Sequence, residues 1–243
     1  MQCLILAGGL GTRMLPMTEQ MPKVLLPVNG CPFADYQLQW LAGQGVTRVV
    51  FSIGHLGEMV REFAGDGGKW NLDITYTDEG SAPRGTAGAI RLAVERGQMD
   101  EGFFVLYGDS YLDIDMPAVW AASDNGEHPF ITVYRNQGRW DASNAKVQDG
   151  KVIHFEKGRT DAAEFGMEHI DYGLSVLTRQ VILDEVATEG ASDLAEVYHN
   201  LSIRGDLCAF EATERFYEIG SPQGLADLEA YLLKIEDRAA NHE

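Results

Sequence analysis

The chain has 243 residues, 45% of them hydrophobic, and a formal net charge of −18 at pH 7. That length and apolar content suffice for a full core in one domain, and the acidic surplus excludes nucleic acid as a partner, because phosphate backbones demand clustered Lys and Arg. No apolar run approaches the ~20 residues of a membrane span, and the start, Met1-Gln2-Cys3-Leu4, lacks the basic stretch of a signal peptide.

Residues 2–7 read as a buried strand that runs into Gly8-Gly9-Leu10-Gly11-Thr12-Arg13. Backbone almost bare of side chains lets N–H groups converge on an anion, and glycine tolerates the turn angles this needs. Arg13 adds a forked, permanent charge suited to phosphate oxygens, and Pro22-Lys23 brings a second cation. The loop is not a dinucleotide fingerprint, since Met14 stands where G-x-G-x-x-G wants its third glycine, and no G-x-x-x-x-G-K-[ST] run occurs. Strand, loop and two cations read as a site for a nucleoside triphosphate; the plain alternative is a tight strand-to-helix turn.

Val28-Asn29-Gly30 reads as a turn. Helices are predicted over 33–43, 57–65 and 85–96, and strands over 48–53, 72–77 and 103–107. This alternation implies right-handed βαβ crossovers and a largely parallel sheet, with ligands beyond the carboxyl ends of its strands. Gly108-Asp109 falls at such an end. An acid there can hold a divalent ion against triphosphate oxygens; a surface turn, or a cap for the segment near Asp115, uses the same residues. The second half reads as shorter strands over 130–135, 144–149, 151–156 and 170–177, with Asp149-Gly150 as a hairpin turn. Helices follow over 178–187, 192–200 and 221–238, and Ala239 to Glu243 are expected to fray. Cys3, Cys31 and Cys208 are odd in number and widely spaced, as expected of reduced thiols in the cytoplasm, with Cys31 a buried thiol. The six His show no metal-ligand spacing.

The pattern L-A-G-G-x-G-T-R-x-x-P over residues 6–16, followed by Pro22-Lys23, resembles the sugar-1-phosphate nucleotidyltransferase family, and the likeness runs from about residue 2 to 235. These enzymes join a nucleoside triphosphate to a sugar 1-phosphate and release pyrophosphate. The resemblance implies one α/β domain with a Rossmann-like, mostly parallel sheet flanked by helices and a smaller β sugar-binding subregion. A nucleotide-binding half over about 1–110 would then precede a sugar-phosphate half over about 111–243. Leu6, Ala7, Gly8, Gly9, Gly11 and Thr12 would meet the nucleotide, with Arg13 and Lys23 as the catalytic cations. A divalent ion, Mg2+ or Mn2+, would be held by Asp109 and by Glu218, which stands where the family's D-I-G-[ST]-P segment has Asp.

Gly85 and Thr86, opening a helix, lie where relatives meet base and ribose; a helix N-terminus also favours negative charge. Glu79 only accepts hydrogen bonds, which suits guanine N1–H and N2–H2 or the cytosine amino group. The run from Glu79 to Ile90 resembles guanylyltransferases acting on mannose or heptose 1-phosphate, so GTP is the expected donor. Lys157 would hold the sugar phosphate and Glu156 the sugar hydroxyls. Asp171 and Gly173 stand at the family's N-x-G, and Asn144 where relatives offer a glycine backbone. Arg13, Lys23, Lys157 and the metal would let an acidic protein bind two anions. The implied partners are the triphosphate and the sugar 1-phosphate, with room for a homo-oligomer. Two rivals remain: a cytidylyl- or uridylyltransferase for another sugar or alcohol phosphate, such as phosphocholine caged by Tyr111, Trp140 and Tyr172, and a non-catalytic regulatory homologue.

Overall fold

The computed structural model describes residues 1–136 and 139–240. In chain order its elements are β1 (Gln2–Leu6), β2 (Pro27–Val28), β3 (Cys31–Pro32), α1 (Phe33–Gly43), β4 (Arg48–Ile53), α2 (Gly57–Ala64), β5 (Asp73–Asp78), α3 (Gly85–Glu95), β6 (Gly102–Tyr107) and β7 (Ser110–Tyr111). There follow α4 (Met116–Ala122), β8 (Phe130–Tyr134), β9 (Ala145–Gln148), β10 (Lys151–Phe155), α5 (Ala162–Phe165), β11 (Ile170–Thr178), α6 (Arg179–Glu185), α7 (Leu194–Arg204), β12 (Cys208–Ala212), β13 (Tyr217–Glu218) and α8 (Pro222–Ala240).

Nine strands form one sheet in the order β5-β4-β1-β6-β11-β8-β12-β10-β9. The first four are mutually parallel, and β11 turns the sheet antiparallel beside β6. The β subregion expected for the sugar is thus no separate layer: β8 to β12 continue the same sheet. Parallel strands covered on both faces need apolar side chains on both, and β1 and β6 supply them. Along β1, Cys3 and Ile5 enter one core cluster and Leu4 the other; along β6, Phe104 and Leu106 oppose Phe103 and Val105. The alternation follows from the two-residue period of a strand.

Register places the site. Leu6 pairs with Tyr107 at the carboxyl ends of β1 and β6, so the glycine loop and Gly108-Asp109 leave the sheet side by side. Outside the sheet, β7 pairs with β13, setting Ser110 opposite Glu218. A strand too short to show periodicity therefore brings Glu218 to Asp109.

Three expectations change. Cys31 is exposed rather than buried: it sits on the surface hairpin β2–β3, turned through Asn29 and Gly30, both at positive φ, and Val28 takes the inward position. The segment 208–212, unassigned from the sequence, is a strand inserted between β8 and β10. α8 continues to Ala240, and the rest of the expected frayed tail, residues 241–243, lies outside the described residues. Among the described residues, no helix is long and apolar enough to cross a membrane.

Candidate active site

Two cavities meet at the carboxyl end of β6. The smaller, about 260 Å³, lies between the glycine loop and the start of α3 and is lined by Leu6, Ala7, Gly8, Gly9, Gly11, Lys23, Glu79, Gly85 and Thr86, among others. The larger, about 700 Å³, opens over the second half of the sheet, with Arg13, Asn144, Lys157, Asp171, Gly173 and Glu218 in its wall. Tyr107 and Asp109 line both. A small and a large compartment sharing one carboxylate suit a reaction that joins two substrates at the boundary.

At that boundary Lys23 Nζ lies 2.6 Å from Asp109 Oδ2, with side chains 16% and 21% exposed. Lys23 comes from a 3₁₀ turn, Lys23–Leu25, whose apolar residues Val24 and Leu25 are buried and anchor it. The Ile219 N–H donates to the Asp109 carbonyl (2.9 Å), fastening β13 to the Asp109 turn. Burial pushes the Glu218 carboxyl above its usual range and the Asp109 charge adds to that, while Arg13 and Lys23 pull the other way. Arg13 reaches this pair from the 3₁₀ turn Thr12–Met14: a Cβ on Gly220 would stand 3.0 Å from its Nη2. It therefore faces the larger cavity and the acid pair, not the glycine loop.

The acid pair fits a divalent ion. Two neighbouring carboxylates repel each other, and burial together with the Asp109 charge raises Glu218 even against the pull of Arg13 and Lys23, a strain that a divalent ion held between them would relieve. Among the described residues no group of three or more His, Cys, Asp or Glu forms a complete cage. That matches the habit of Mg2+, which takes one or two carboxylates and completes its shell with water and substrate phosphates.

On the nucleotide side, Glu79 Oε2 accepts from the Arg84 N–H (2.9 Å), and its Oε1 lies against Gly8. Burial raises the Glu79 carboxyl. The start of α3 is engaged in part: the Ala87 and Gly88 N–H groups both donate to the Ser192 carbonyl (2.9 and 3.3 Å), while Gly85 and Thr86 line the smaller cavity. Gly85, at φ +72°, is needed because a side chain there would collide with Ser192. Thr86 accepts from the Leu194 N–H (2.7 Å) and donates to Asp193 (3.2 Å). Thr12 is exposed at the start of its 3₁₀ turn and is not among the lining residues.

On the other side, Asn144 Oδ1 accepts from the Asp171 N–H (2.9 Å), and Asp171 Oδ1 accepts from the Gly173 N–H (2.9 Å). Gly173, at φ +101°, lets β11 pass Ser110, whose Oγ would stand 2.9 Å from a Cβ there. Glu156 does not join Lys157 in the cavity wall. Its carboxylate takes His154 (3.0 Å) and Arg159 (2.8 Å) instead, and these bonds, His154 foremost, hold it below the usual carboxylate range.

Residues that sequence reasoning misses include Tyr107, Asp141, Asp193, Arg215 and Asp227, all in the larger cavity. Of these only Tyr107 carries a local signal, as the last residue of a strand aimed at the site. Arg215 pairs with Asp227 (3.2 Å) and stacks between Trp140 (3.8 Å) and Tyr217 (4.4 Å). No cage for a quaternary amine exists among the described residues here. The guanidinium already covers a Trp140 face, Tyr111 packs on Tyr231, and Tyr172 is buried against Tyr134 and Phe216. Such a cage needs open aromatic faces turned to one point.

Burial pushes Asp171 up to about 6 from its ordinary 3.8, against the pull of Gly173, Tyr107 and Lys157. Between those two pH values the folded protein holds a proton that the unfolded chain has released, so stability falls as pH rises. The destabilisation is complete above about pH 6 and absent below about 3.8. Asp171→Asn should therefore raise Tm at pH 8, with the gain shrinking as pH falls toward 4. A Tm difference that stays constant across that range would show that no buried charge is at stake.

The sequence profile of the Nucleotidyl transferase family matches residues 2–227. The chain belongs to this family and is a nucleotidyltransferase that makes nucleoside diphosphate sugars. It is 29% identical over 226 residues to D-glycero-alpha-D-manno-heptose 1-phosphate guanylyltransferase of Campylobacter jejuni, across 92% of this chain and 96% of that protein. It is 28% identical to mannose-1-phosphate guanyltransferase of Yarrowia lipolytica, across 92% of this chain and 61% of that longer protein. Among solved structures, HddC from Yersinia pseudotuberculosis complexed with GMP-PN superposes with a TM-score of 0.78 at 25% identity, across 95% of this chain and 99% of the other.

Proposed function

We propose that the enzyme transfers a guanylyl group from GTP to a sugar 1-phosphate of the mannose or heptose type, with Mg2+ or Mn2+ held by Asp109 and Glu218. The observation that carries this reading is the place of Asp109, in the wall common to both cavities with Glu218 beside it. Similarity to the two guanylyltransferases supports the choice of base and sugar. A phosphate oxygen of the sugar 1-phosphate attacks the α-phosphorus in line, the bond to the β-phosphate breaks, and pyrophosphate leaves. The metal, when bound, supplies neutralisation of phosphate charge. Lys23 and Arg13 flank the acids and offset the negative charge that grows on the phosphoryl oxygens. The glycine loop and Glu79 seat the nucleotide, while Lys157, Asn144, Asp171 and Gly173 seat the sugar phosphate. No protein nucleophile takes part. The retained Arg13, Lys23 and Asp109 speak against a non-catalytic homologue. The deciding experiment measures pyrophosphate release with ATP, CTP, GTP, UTP and dTTP against a panel of sugar 1-phosphates.

Glu79 is assigned to the guanine edge. One of its oxygens serves the Arg84 N–H, and a carboxylate retains further lone pairs for N1–H and N2–H2. In Glu79→Gln the amide oxygen would keep Arg84 and turn its NH2 toward another donor. That mismatch costs about 1–3 kcal/mol, so the GTP-to-UTP ratio of kcat/KM should fall by about 5- to 150-fold. An unchanged ratio, or a wild-type preference for UTP or dTTP, would remove Glu79 as the base reader.

A further inference from the structure

Asp109 is held by α1 as well as by its own strand. Gln37 is 0% exposed, on the α1 face whose other buried members are Phe33, Ala34, Leu38 and Leu41. Helical periodicity calls for an apolar residue at that position. The Gln37 Nε2 donates to the Tyr107 carbonyl (3.1 Å) and the Ser110 carbonyl (2.8 Å), which bracket Gly108-Asp109. The turn's other ties are Gly108 N–H to the Leu6 carbonyl (3.0 Å) and Ile219 N–H to the Asp109 carbonyl (2.9 Å).

Both acceptors require the nitrogen of the amide, since a carboxylate or an aliphatic side chain has no N–H to offer. The amide oxygen is left buried, without a hydrogen-bond partner among the described residues. An unpaired buried oxygen works against stability, so core packing alone does not account for a glutamine here. The two donated bonds do.

We infer that Gln37 is a positioning residue for nucleotidyl transfer: by clamping the carbonyls on either side of Gly108-Asp109, it fixes the Asp109 carboxylate against Glu218 and Lys23. This rests on Asp109 as the metal-holding acid. Gln37 touches no substrate; it acts through the turn.

The test compares Gln37→Met with Thr132→Val. Thr132 is buried and donates to the Leu174 carbonyl (2.7 Å), so its variant also loses a buried bond to a carbonyl but leaves the Asp109 turn intact. Gln37→Met should lower kcat at least tenfold and raise the Mg2+ concentration for half-maximal rate severalfold, with KM for GTP within twofold of wild type. Thr132→Val should lower Tm and leave kcat and the Mg2+ requirement unchanged. If Gln37→Met does not fold, Gln37→Asn, one methylene short of spanning both carbonyls, should shift kcat and Mg2+ requirement the same way by less. A folded Gln37 variant with wild-type kcat and Mg2+ requirement overturns the assignment, as does activity lost by both proteins in proportion to Tm. Asp109→Asn separates the two readings: if it is fully active, the metal assignment fails; if it is inactive while the Gln37 variants are normal, only the positioning role fails.

Discussion

Asp109→Asn should lower kcat by about 10³-fold in Mg2+, equivalent to about 4 kcal/mol in the barrier, while the protein stays folded. The substitution keeps shape and removes charge at the wall shared by both cavities. The backbone tie is untouched, because Ile219 bonds to the main-chain carbonyl of Asp109. Loss of that charge relieves Glu218, whose carboxyl the Asp109 charge helps to push up, but it also takes from Lys23 its 2.6 Å partner; the two effects oppose each other, so Tm should shift only modestly. Circular dichroism melts alongside pyrophosphate-release rates would establish both points. Full activity of the variant would sink the metal assignment.

Lys23→Ala should reduce kcat by about 100-fold or more, since one charge-assisted contact to a developing oxyanion is worth about 2.7–4 kcal/mol. The ion pair adds a second, opposite signature. Lys23 occupies Asp109 Oδ2 at 2.6 Å, so its removal frees a ligand oxygen, and the Mg2+ concentration for half-maximal rate should fall even as turnover falls. A rise in KM with kcat unchanged would make Lys23 a uniform binding contact instead. Because the two side chains share one bond, the double variant should lose less than the product of the single losses.

Much of the nucleotide half is legible in the amino-acid order itself. Residues 2–7, 48–53 and 103–107 are apolar on both faces, which only buried parallel strands require, and glycines that follow such a strand mark an approach to a ligand. The helices α1 and α3 coincide with their predicted ranges to within a residue at each end, since both have an apolar stripe long enough to show its period. The neighbourhood of the glycine loop and Asp109 then follows from parallel pairing of β1 and β6.

Other features are decided by tertiary structure alone. The β7–β13 ribbon has two residues a side, too few for any period, and exists because Ser110 and Glu218 find each other across the fold. Which way a charged side chain turns is equally hidden: Glu156 and Lys157 are neighbours in sequence, yet Glu156 turns to His154 and Arg159, and only Lys157 lines the cavity. Tyr111, Trp140 and Tyr172 could converge as far as sequence tells, and their partners Tyr231, Arg215 and Phe216 separate them. Gln37 reads as one polar residue in a helix; its meaning comes from two carbonyls on a turn far along the chain. Local pattern marks the longer strands and helices, because a backbone period shows only over several residues. The direction of a polar side chain is set by the acceptor it meets, and that acceptor is placed by the whole fold.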